Sequence, residues 1–226
     1  MVSKILMDEF HRYWNGSQRI PGVSEIMQAA GLTYLPGPAG DALASAIAEG
    51  LCDAETYGIP NQIPDEYIRA AQVFGTAVHK ASDLLDKDNL NKIKLDPMIL
   101  PYLNGYRQFK LDYGFEVEAS EERVYNETYN YGGTLDKRGT ALNKGKRVKA
   151  IVDLKCTFKI QPTCKVQMNA YDRAVGGGFW KIILHLRPDF PKGYKVQIAE
   201  DKHWGAFLNA LSIFNWKRNE NMIKGW

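Results

Sequence analysis

Cysteine is scarce in this sequence. The three cysteines, Cys52, Cys156 and Cys164, are too few to supply four thiolates, and no C-x-x-C pair occurs. A four-thiolate iron–sulfur cluster is therefore excluded. We also expect no disulfide framework, because we predict an intracellular protein.

Long hydrophobic runs are also absent. No stretch reaches the roughly 18 apolar residues that span a bilayer. The N-terminal segment MVSKILMDEFHRYW is charged and lacks the apolar region of a signal peptide. We therefore expect a soluble protein of the cytoplasm without a membrane partner. With 226 residues and 45% hydrophobic content, the chain can form one domain with a substantial core.

A strong excess of charge is missing as well. The net charge of +3 does not by itself indicate a nucleic-acid-binding protein. The cationic residues are nevertheless clustered, which suits contact with phosphates, although a solvated hairpin tip would look the same. One cluster comprises Lys137, Arg138, Lys144, Lys146, Arg147 and Lys149, and a second comprises Lys159, Lys165 and Arg173.

The sequence does contain two opposite charges within an apolar segment, KAIVDLKC, which we predict to be a buried strand. Because side chains alternate between the faces of a strand, Asp153 and Lys155 project from the same side. Burying these charges costs several kcal/mol unless each has a partner, such as a metal or an anion. We interpret the pair as a candidate reaction centre; an ordinary ion pair at a strand end is the alternative.

A second acidic residue is predicted to lie beside this pair. Residues 131–137 and 149–155 are predicted strands joined by a turn at residues 143–146. If the turn is centred between Lys144 and Gly145, Asp136 falls opposite Asp153, with Cβ atoms roughly 5 Å apart. Like charges at this distance destabilise a sheet unless a cation lies between them, and oxygen ligands favour magnesium or manganese. In a different register, Asp136 would be a solvated turn residue.

Two predicted helices add polar side chains. His79 lies on a helix over residues 65–87, with Gly75 one turn earlier on the same face. Gln167 and Tyr171 are four residues apart on a second helix, so they also share a face. Taken alone, each feature is common in ordinary helices.

In chain order, these segments resemble the RecB-like, phage-type exonuclease branch of the PD-(D/E)XK nucleases. The motifs are G-x-x-x-H ending at His79, G-G-T-L-D ending at Asp136, I-V-D-L-K, and Q-x-x-x-Y. The match as a whole spans roughly residues 64–216. The mitochondrial genome maintenance exonucleases share this arrangement, and the segment IPGVSEIM resembles the opening of such proteins. The resemblance implies an α/β fold with a restriction-endonuclease-like core, in which helices flank a mixed central sheet.

The resemblance also implies a metal centre. Asp136, Asp153 and the Leu154 carbonyl would hold Mg²⁺ or Mn²⁺, and His79 would be an additional ligand. The catalytic residues would be Asp136, Asp153 and Lys155, with Lys155 orienting the attacking water and stabilising charge on the phosphate. Some relatives carry an iron–sulfur cluster, whereas this chain lacks the cysteines for one.

Three further residues receive roles from the resemblance. Gln167 and Tyr171 would bind the substrate by positioning the scissile strand or a neighbouring phosphate. An acidic residue ahead of the hairpin often belongs to such sites. Glu121 and Glu122 are the candidates here, and we favour Glu122.

The implied function is that of a Mg²⁺- or Mn²⁺-dependent DNA exonuclease in phage or prophage recombination, repair or processing. Its partners would be single-stranded DNA or DNA ends, with a recombinase or a single-strand-binding protein, in the host cytoplasm if phage-encoded. Oligomerisation is left open. The alternatives are a structure-specific endonuclease of the same fold, a non-catalytic DNA-binding protein and a small-molecule magnesium enzyme. The last is disfavoured for nucleotide triphosphates, because no glycine-rich phosphate loop occurs.

The sequence predicts two regions. Residues 1–63 are expected to form a helical N-terminal region packed on the core, with a short helix after Ser24 and another at residues 41–48. Residues 64–226 are expected to form the nuclease core. Further helices are predicted at residues 97–113 and 201–218, and strands at residues 180–186 and 194–199.

Overall fold

The chain folds into strands and helices that the computed structural model describes for residues 5–32, 65–90, 95–157, 159–223 and 225–226, with the backbone alone at residues 65–72. The strands β1 (Leu6–Met7), β2 (Tyr13–Asn15) and β3 (Gln18–Ile20) come first, followed by the helix α1 (Val23–Ala29). The helices α2 (Asp65–Asp86) and α3 (Leu100–Tyr113) precede the strands β4 (Glu116–Asn126), β5 (Tyr131–Asn143) and β6 (Lys146–Lys155). The helix α4 (Thr163–Ala174), the strands β7 (Trp180–Leu186) and β8 (Tyr194–Ile198) and the helix α5 (Trp204–Asn219) complete the order.

The main sheet has the strand order β4-β5-β6-β7-β8. β6 and β7 are parallel, and the other neighbours are antiparallel. The parallel pair requires a crossover connection, which α4 provides. β6 is the central strand, and its apolar residues are buried because helices cover both faces of the sheet. The predicted α/β class, with a mixed central sheet flanked by helices, is confirmed.

Two hydrophobic cores lie on opposite faces of this sheet. Ile151 of β6 packs in the core formed with α1, α4 and α5. Val152 and Leu154 pack in the core formed with α2 and α3. Because side chains alternate along a strand, Asp153 belongs to the face of Ile151, which α4 covers.

The N-terminal region differs from the helical one that the sequence predicts. Residues 6–20 form an antiparallel three-stranded sheet, in which Gly16 turns the second hairpin with a φ of 61°. Strands of two or three residues are too short to show an alternating pattern, which explains why the prediction missed them. The helix expected after Ser24 is present as α1. The predicted helix at residues 41–48 lies outside the described residues, and the division between residues 63 and 64 stays a prediction.

Glycine allows the N-terminal sheet to pack closely on β5. Gly132 forms a parallel bridge with Gly22, and its N–H donates to the Pro21 carbonyl over 2.9 Å. A Cβ on Gly132 would lie 3.1 Å from Ile5 and 3.2 Å from Ile20. The first glycine of the G-G-T-L-D motif therefore serves packing.

The other predicted elements occur close to their expected positions. The helix predicted at residues 65–87 is α2, and the one predicted at residues 97–113 contains α3. The strands predicted at residues 180–186 and 194–199 are β7 and β8. Within the described ranges, no helix combines the length and apolarity that crossing a membrane requires.

Candidate active site

The candidate site lies where β5 separates from β6. The two strands pair from Asn143↔Lys146 to Lys137↔Val152, around a turn centred between Lys144 and Gly145. This is the predicted register. Beyond Lys137 the pairing ends, and we call this point the fork. Here the N–H of Leu154 donates to Asp136 Oδ2 over 2.7 Å, so that Asp136 is held against the end of β6.

On β6, the buried Asp153 forms an ion pair with the partly buried Lys155. Lys155 Nζ lies 2.7 Å from Asp153 Oδ2, and Asp153 is only 2% exposed. Despite this proximity, Asp153 Oδ2 has no partner with hydrogen-bonding geometry among the described residues. Burial raises the pKa of Asp153, and Asp136 raises it further. Burial opposes the charge on Lys155, but the neighbouring Asp153 raises its pKa overall, so that the ammonium stays charged at neutral pH.

His79 connects α2 to the fork. Its Nε2 atom lies 3.0 Å from the Leu154 carbonyl oxygen, and its Nδ1 atom lies 3.5 Å from Asp136 Oδ1. Burial disfavours the imidazolium, but Asp136 raises the pKa of His79 overall. Burial likewise disfavours the Asp136 carboxylate, whereas His79 and then Lys155 lower the pKa of Asp136. Asp136 is therefore the carboxylate of the fork that is held in its charged form.

A third carboxylate comes from β4, and it is Glu121. The pairs Ser120↔Lys137 and Glu122↔Leu135 place Glu121 at the position opposite Asp136. Ligand atoms of His79, Glu121 and Asp136 all lie within 4.8 Å of one another. Although Glu121 is exposed, partial desolvation of its carboxyl raises its pKa, and the nearby Asp136 contributes to the shift.

Glu122, which the sequence analysis favoured, is engaged elsewhere. Its carboxylate accepts hydrogen bonds from Arg138 Nε and Nη2 over 2.6 and 2.9 Å. Strict alternation suggested Glu122, but Glu121 has a φ of 50°, in the left-handed region, which interrupts the alternation of β4. Counting the register back from Lys137 could have identified Glu121 from the sequence, had the pairing of β4 with β5 been known.

Asp83 is an acidic neighbour that the sequence analysis did not single out. It lies one helical turn after His79 on α2, and its charge raises the pKa of Glu121. Asp83 Oδ2 pairs with Lys87 over 2.7 Å. Asp83 Oδ1 is buried and has no hydrogen-bond partner among the described residues. The spacing of four residues from His79, which places both side chains on one helix face, could have indicated Asp83 from the sequence.

These residues satisfy the requirements of a hard divalent cation. The carboxylates of Glu121 and Asp136 lie together at the fork, and Asp153, which is outside this group, is close enough for Asp136 to act on its charge. The mutual repulsion of these carboxylates favours a cation between them. Asp153 Oδ2 is a buried acceptor whose contact with Lys155 lacks hydrogen-bonding geometry, and such an ion could satisfy it. An oxygen-rich set with one imidazole suits magnesium or manganese better than zinc, which prefers nitrogen and sulfur ligands.

Gln167 and Tyr171 meet on α4, as their spacing predicts. Gln167 Nε2 donates to the Tyr171 hydroxyl oxygen over 3.0 Å. The Tyr171 ring packs over Gly133, where an added Cβ would lie 2.6 Å from Tyr171 Cε1. Burial raises the pKa of Tyr171, and the Asp153 charge adds to the shift. The second glycine of the G-G-T-L-D motif thus makes room for an aromatic side chain within electrostatic reach of Asp153.

Comparison with known proteins finds similarity only at the level of structure. No protein-family model and no curated protein sequence matches this chain. The crystal structure of LHK-Exo in complex with dAMP is similar over 52% of this chain and 69% of that chain, with 14% identity and a TM-score of 0.35. The crystal structure of the alkaline exonuclease LHK-Exo from Laribacter hongkongensis covers the same shares, with 17% identity and a TM-score of 0.34. This similarity is too low to establish a function, which must be argued from the site itself.

Proposed function

We propose that this protein is a Mg²⁺- or Mn²⁺-dependent deoxyribonuclease that hydrolyses phosphodiester bonds at DNA ends. One observation carries the proposal: ligand atoms of His79, Glu121 and Asp136 lie together at the fork, beside the ion pair of Asp153 with the partly buried Lys155. Metal-assisted phosphodiester hydrolysis needs carboxylates that hold a divalent cation and a positive charge that stabilises the phosphate, which a nearby lysine can supply. The resemblance of the sequence motifs to phage-type exonucleases favours action at ends.

Four side chains and one carbonyl would hold the metal. Asp136, Asp153 and Glu121 offer carboxylate oxygens, His79 offers a ring nitrogen, and Leu154 offers its carbonyl. The bound ion would supply positive charge near the phosphate and lower the pKa of a coordinated water. The Leu154 carbonyl and Asp136 Oδ1 both face His79, which holds these ligands in place.

Lys155 would provide the fixed positive charge of the site. Its ammonium is held by Asp153 and stays protonated, so it can pair with a non-bridging phosphate oxygen as negative charge develops. Because the group is already oriented in the free protein, little reorganisation is needed when the substrate binds. Lys155 would also orient the attacking water.

Gln167 and Tyr171 would position the substrate strand. The Gln167 amide donates to the oxygen of the Tyr171 hydroxyl, which leaves the hydroxyl hydrogen available for another acceptor. A phosphate oxygen of the scissile strand or its neighbour would be that acceptor. The pair would thus set the position of the backbone relative to Asp153.

The biological setting extends the proposal. The motif resemblance favours recombination, repair or processing of phage or prophage DNA, with single-stranded DNA or DNA ends as substrate and a recombinase or single-strand-binding protein as partner. A structure-specific endonuclease would use the same carboxylates. A non-catalytic DNA-binding protein is disfavoured, because carboxylates at the fork would repel the phosphate backbone without contributing to affinity.

Digestion of end-labelled linear DNA and of a covalently closed circle tests the proposal. The wild type, Asp153→Ala and the matched exposed-carboxylate control Asp189→Ala are compared in Mg²⁺ or Mn²⁺. We expect the wild type and Asp189→Ala to digest the linear DNA and spare the circle, and Asp153→Ala to leave both substrates intact. Cutting of the circle would instead indicate an endonuclease. Absence of metal-dependent cleavage of both substrates would contradict the proposal and favour the DNA-binding alternative.

A further inference from the structure

A buried ionic cluster lies directly behind the fork. Lys137 Nζ lies 2.9 Å from Asp86 Oδ2, and the two side chains are only 1% and 4% exposed. Asp86 also accepts hydrogen bonds from the Tyr106 hydroxyl over 2.8 Å and from Lys110 Nζ over 2.7 Å. Lys137 Nζ donates to Ser120 Oγ over 3.1 Å. We call these five residues the Asp86 cluster.

Stability alone is a poor explanation for this cluster. Taking a lysine and an aspartate out of water costs several kcal/mol per ion, and uncharged residues of similar volume often stabilise a protein as well. A buried ion pair does, however, fix geometry, because each charge must keep its specific partners. The cluster therefore constrains the relative positions of the elements that carry it.

Those elements are the ones that build the candidate metal centre. Lys137 directly follows Asp136 on β5, and Ser120 directly precedes Glu121 on β4. Ser120 and Lys137 are register partners, so the cluster ties β4 to β5 at the last paired position before the two carboxylates. The same lysine is bound to Asp86, the final residue of α2.

The contact with Asp86 also orients His79. The two residues are seven positions apart on α2, which is close to two full turns, so they lie on nearly the same face roughly 10 Å apart along the axis. At the C-terminal end of α2, Asp86 pairs with Lys137. Two turns earlier, His79 contacts the Leu154 carbonyl and Asp136. Two contacts at this separation set both the rotation and the distance of α2 relative to the sheet.

We infer that Asp86 and Lys137 are positioning residues for the metal centre, because together they hold α2 at the orientation that brings His79 to the fork. The inference rests on the proposed function for the role of the metal centre. The new element is that Asp86 and Lys137, which are not proposed metal ligands, determine the orientation of His79.

The test compares a double variant with a matched control. Lys137→Met with Asp86→Asn removes both buried charges and leaves an acceptor for Tyr106. The control is Lys181→Met, because Lys181 is also buried, pairs with Asp201 over 2.7 Å and with Asp172 over 3.7 Å, and lies on β7, which carries none of the proposed metal ligands. Lys137→Arg is the conservative variant. Urea unfolding of all variants separates lost stability from lost positioning.

Two measurements report on positioning. The first is the imidazole nitrogen NMR spectrum of the full chain, which has four histidines, with the His79 signals assigned by their loss in His79→Gln. The second is calorimetric titration with Mn²⁺ alone. We expect the double variant to shift the His79 signals and to weaken Mn²⁺ binding by about 10-fold, as is typical when groups that orient metal ligands are removed. Lys181→Met should change neither, and Lys137→Arg should retain the wild-type His79 signals.

Unchanged His79 signals in the folded double variant would overturn the inference, and so would unchanged Mn²⁺ affinity in that variant when the wild type binds Mn²⁺. A wild type that binds no Mn²⁺ would contradict the proposed metal centre instead. In that case the His79 signals would still decide whether the Asp86 cluster positions α2.

Discussion

At the scale of single residues, the carboxylates of the fork differ in how they are held. Asp136 is kept charged by His79 and Lys155, whereas desolvation raises the pKa values of Asp153 and Glu121. Glu121 also has a left-handed backbone, which costs a non-glycine residue about 1–2 kcal/mol. The fold thus concentrates charge repulsion and backbone strain at one point, a pattern that is common at functional sites.

Replacing each of the two adjacent glutamates, Glu121 and Glu122, by glutamine tests which of them belongs to the metal centre. We expect Glu121→Gln to lower metal-dependent DNA cleavage by more than about 100-fold, because it removes one charge from the metal centre. Glu122→Gln should stay within about threefold of the wild type, since Glu122 pairs with Arg138 and lies outside the group of proposed metal ligands. The measurement is the initial rate of nucleotide release from linear DNA. Equal rates for the two variants would contradict the assignment of Glu121.

The raised pKa of Glu121 predicts a pH dependence of stability without metal. A carboxyl whose pKa is higher in the folded state stabilises the fold at low pH, and this contribution is lost as the pH rises through the folded pKa. Glu121→Gln does not titrate, so its Tm minus that of the wild type should increase with pH across this window. Thermal unfolding in EDTA at several pH values measures this difference. If the Tm of Glu121→Gln minus that of the wild type decreased as the pH rose, the result would contradict a raised pKa for Glu121.

At the scale of elements, the hairpin of β5 and β6 was predictable because a tight turn sets the register of the residues that follow. Asn143 to Gly145 locate the turn, and counting outward places Asp136 beside Asp153. Glu121 was not predictable in this way, since a single left-handed residue interrupts β4. The N-terminal sheet was missed because its strands are shorter than the roughly four residues over which alternation can be recognised.

The contact between β5 and α4 yields a prediction for the second motif glycine. Gly133→Ala places a Cβ 2.6 Å from the Tyr171 ring, which must move. We expect the free energy of unfolding to fall by about 1–3 kcal/mol, as for other overpacked cores. The matched control is Gly205→Ala on α5, where a Cβ meets nothing within 4 Å and alanine should be neutral or stabilising. Urea unfolding compares them, and equal stabilities would show that Tyr171 does not depend on Gly133.

At the scale of the whole molecule, the candidate site combines residues from distant parts of the chain. α2 supplies His79, the three strands β4 to β6 supply the carboxylates, and α4 supplies Gln167 and Tyr171. The sequence motifs indicated most of these residues, because each kept a local spacing. Their convergence depends on the fold, in which α2 covers one face of the sheet and α4 covers the other.

The most direct test of a metal-dependent nuclease is the cleavage of linear DNA as a function of Mn²⁺ concentration, for the wild type and Asp136→Asn, with EDTA as the metal-free reference. Asp136 is the carboxylate that the fork keeps charged, and the substitution preserves its size. We predict saturable, Mn²⁺-dependent cleavage by the wild type, none in EDTA, and a rate more than about 100-fold lower for the variant. Cleavage that persists in EDTA, or equal rates for the two proteins, would contradict the account.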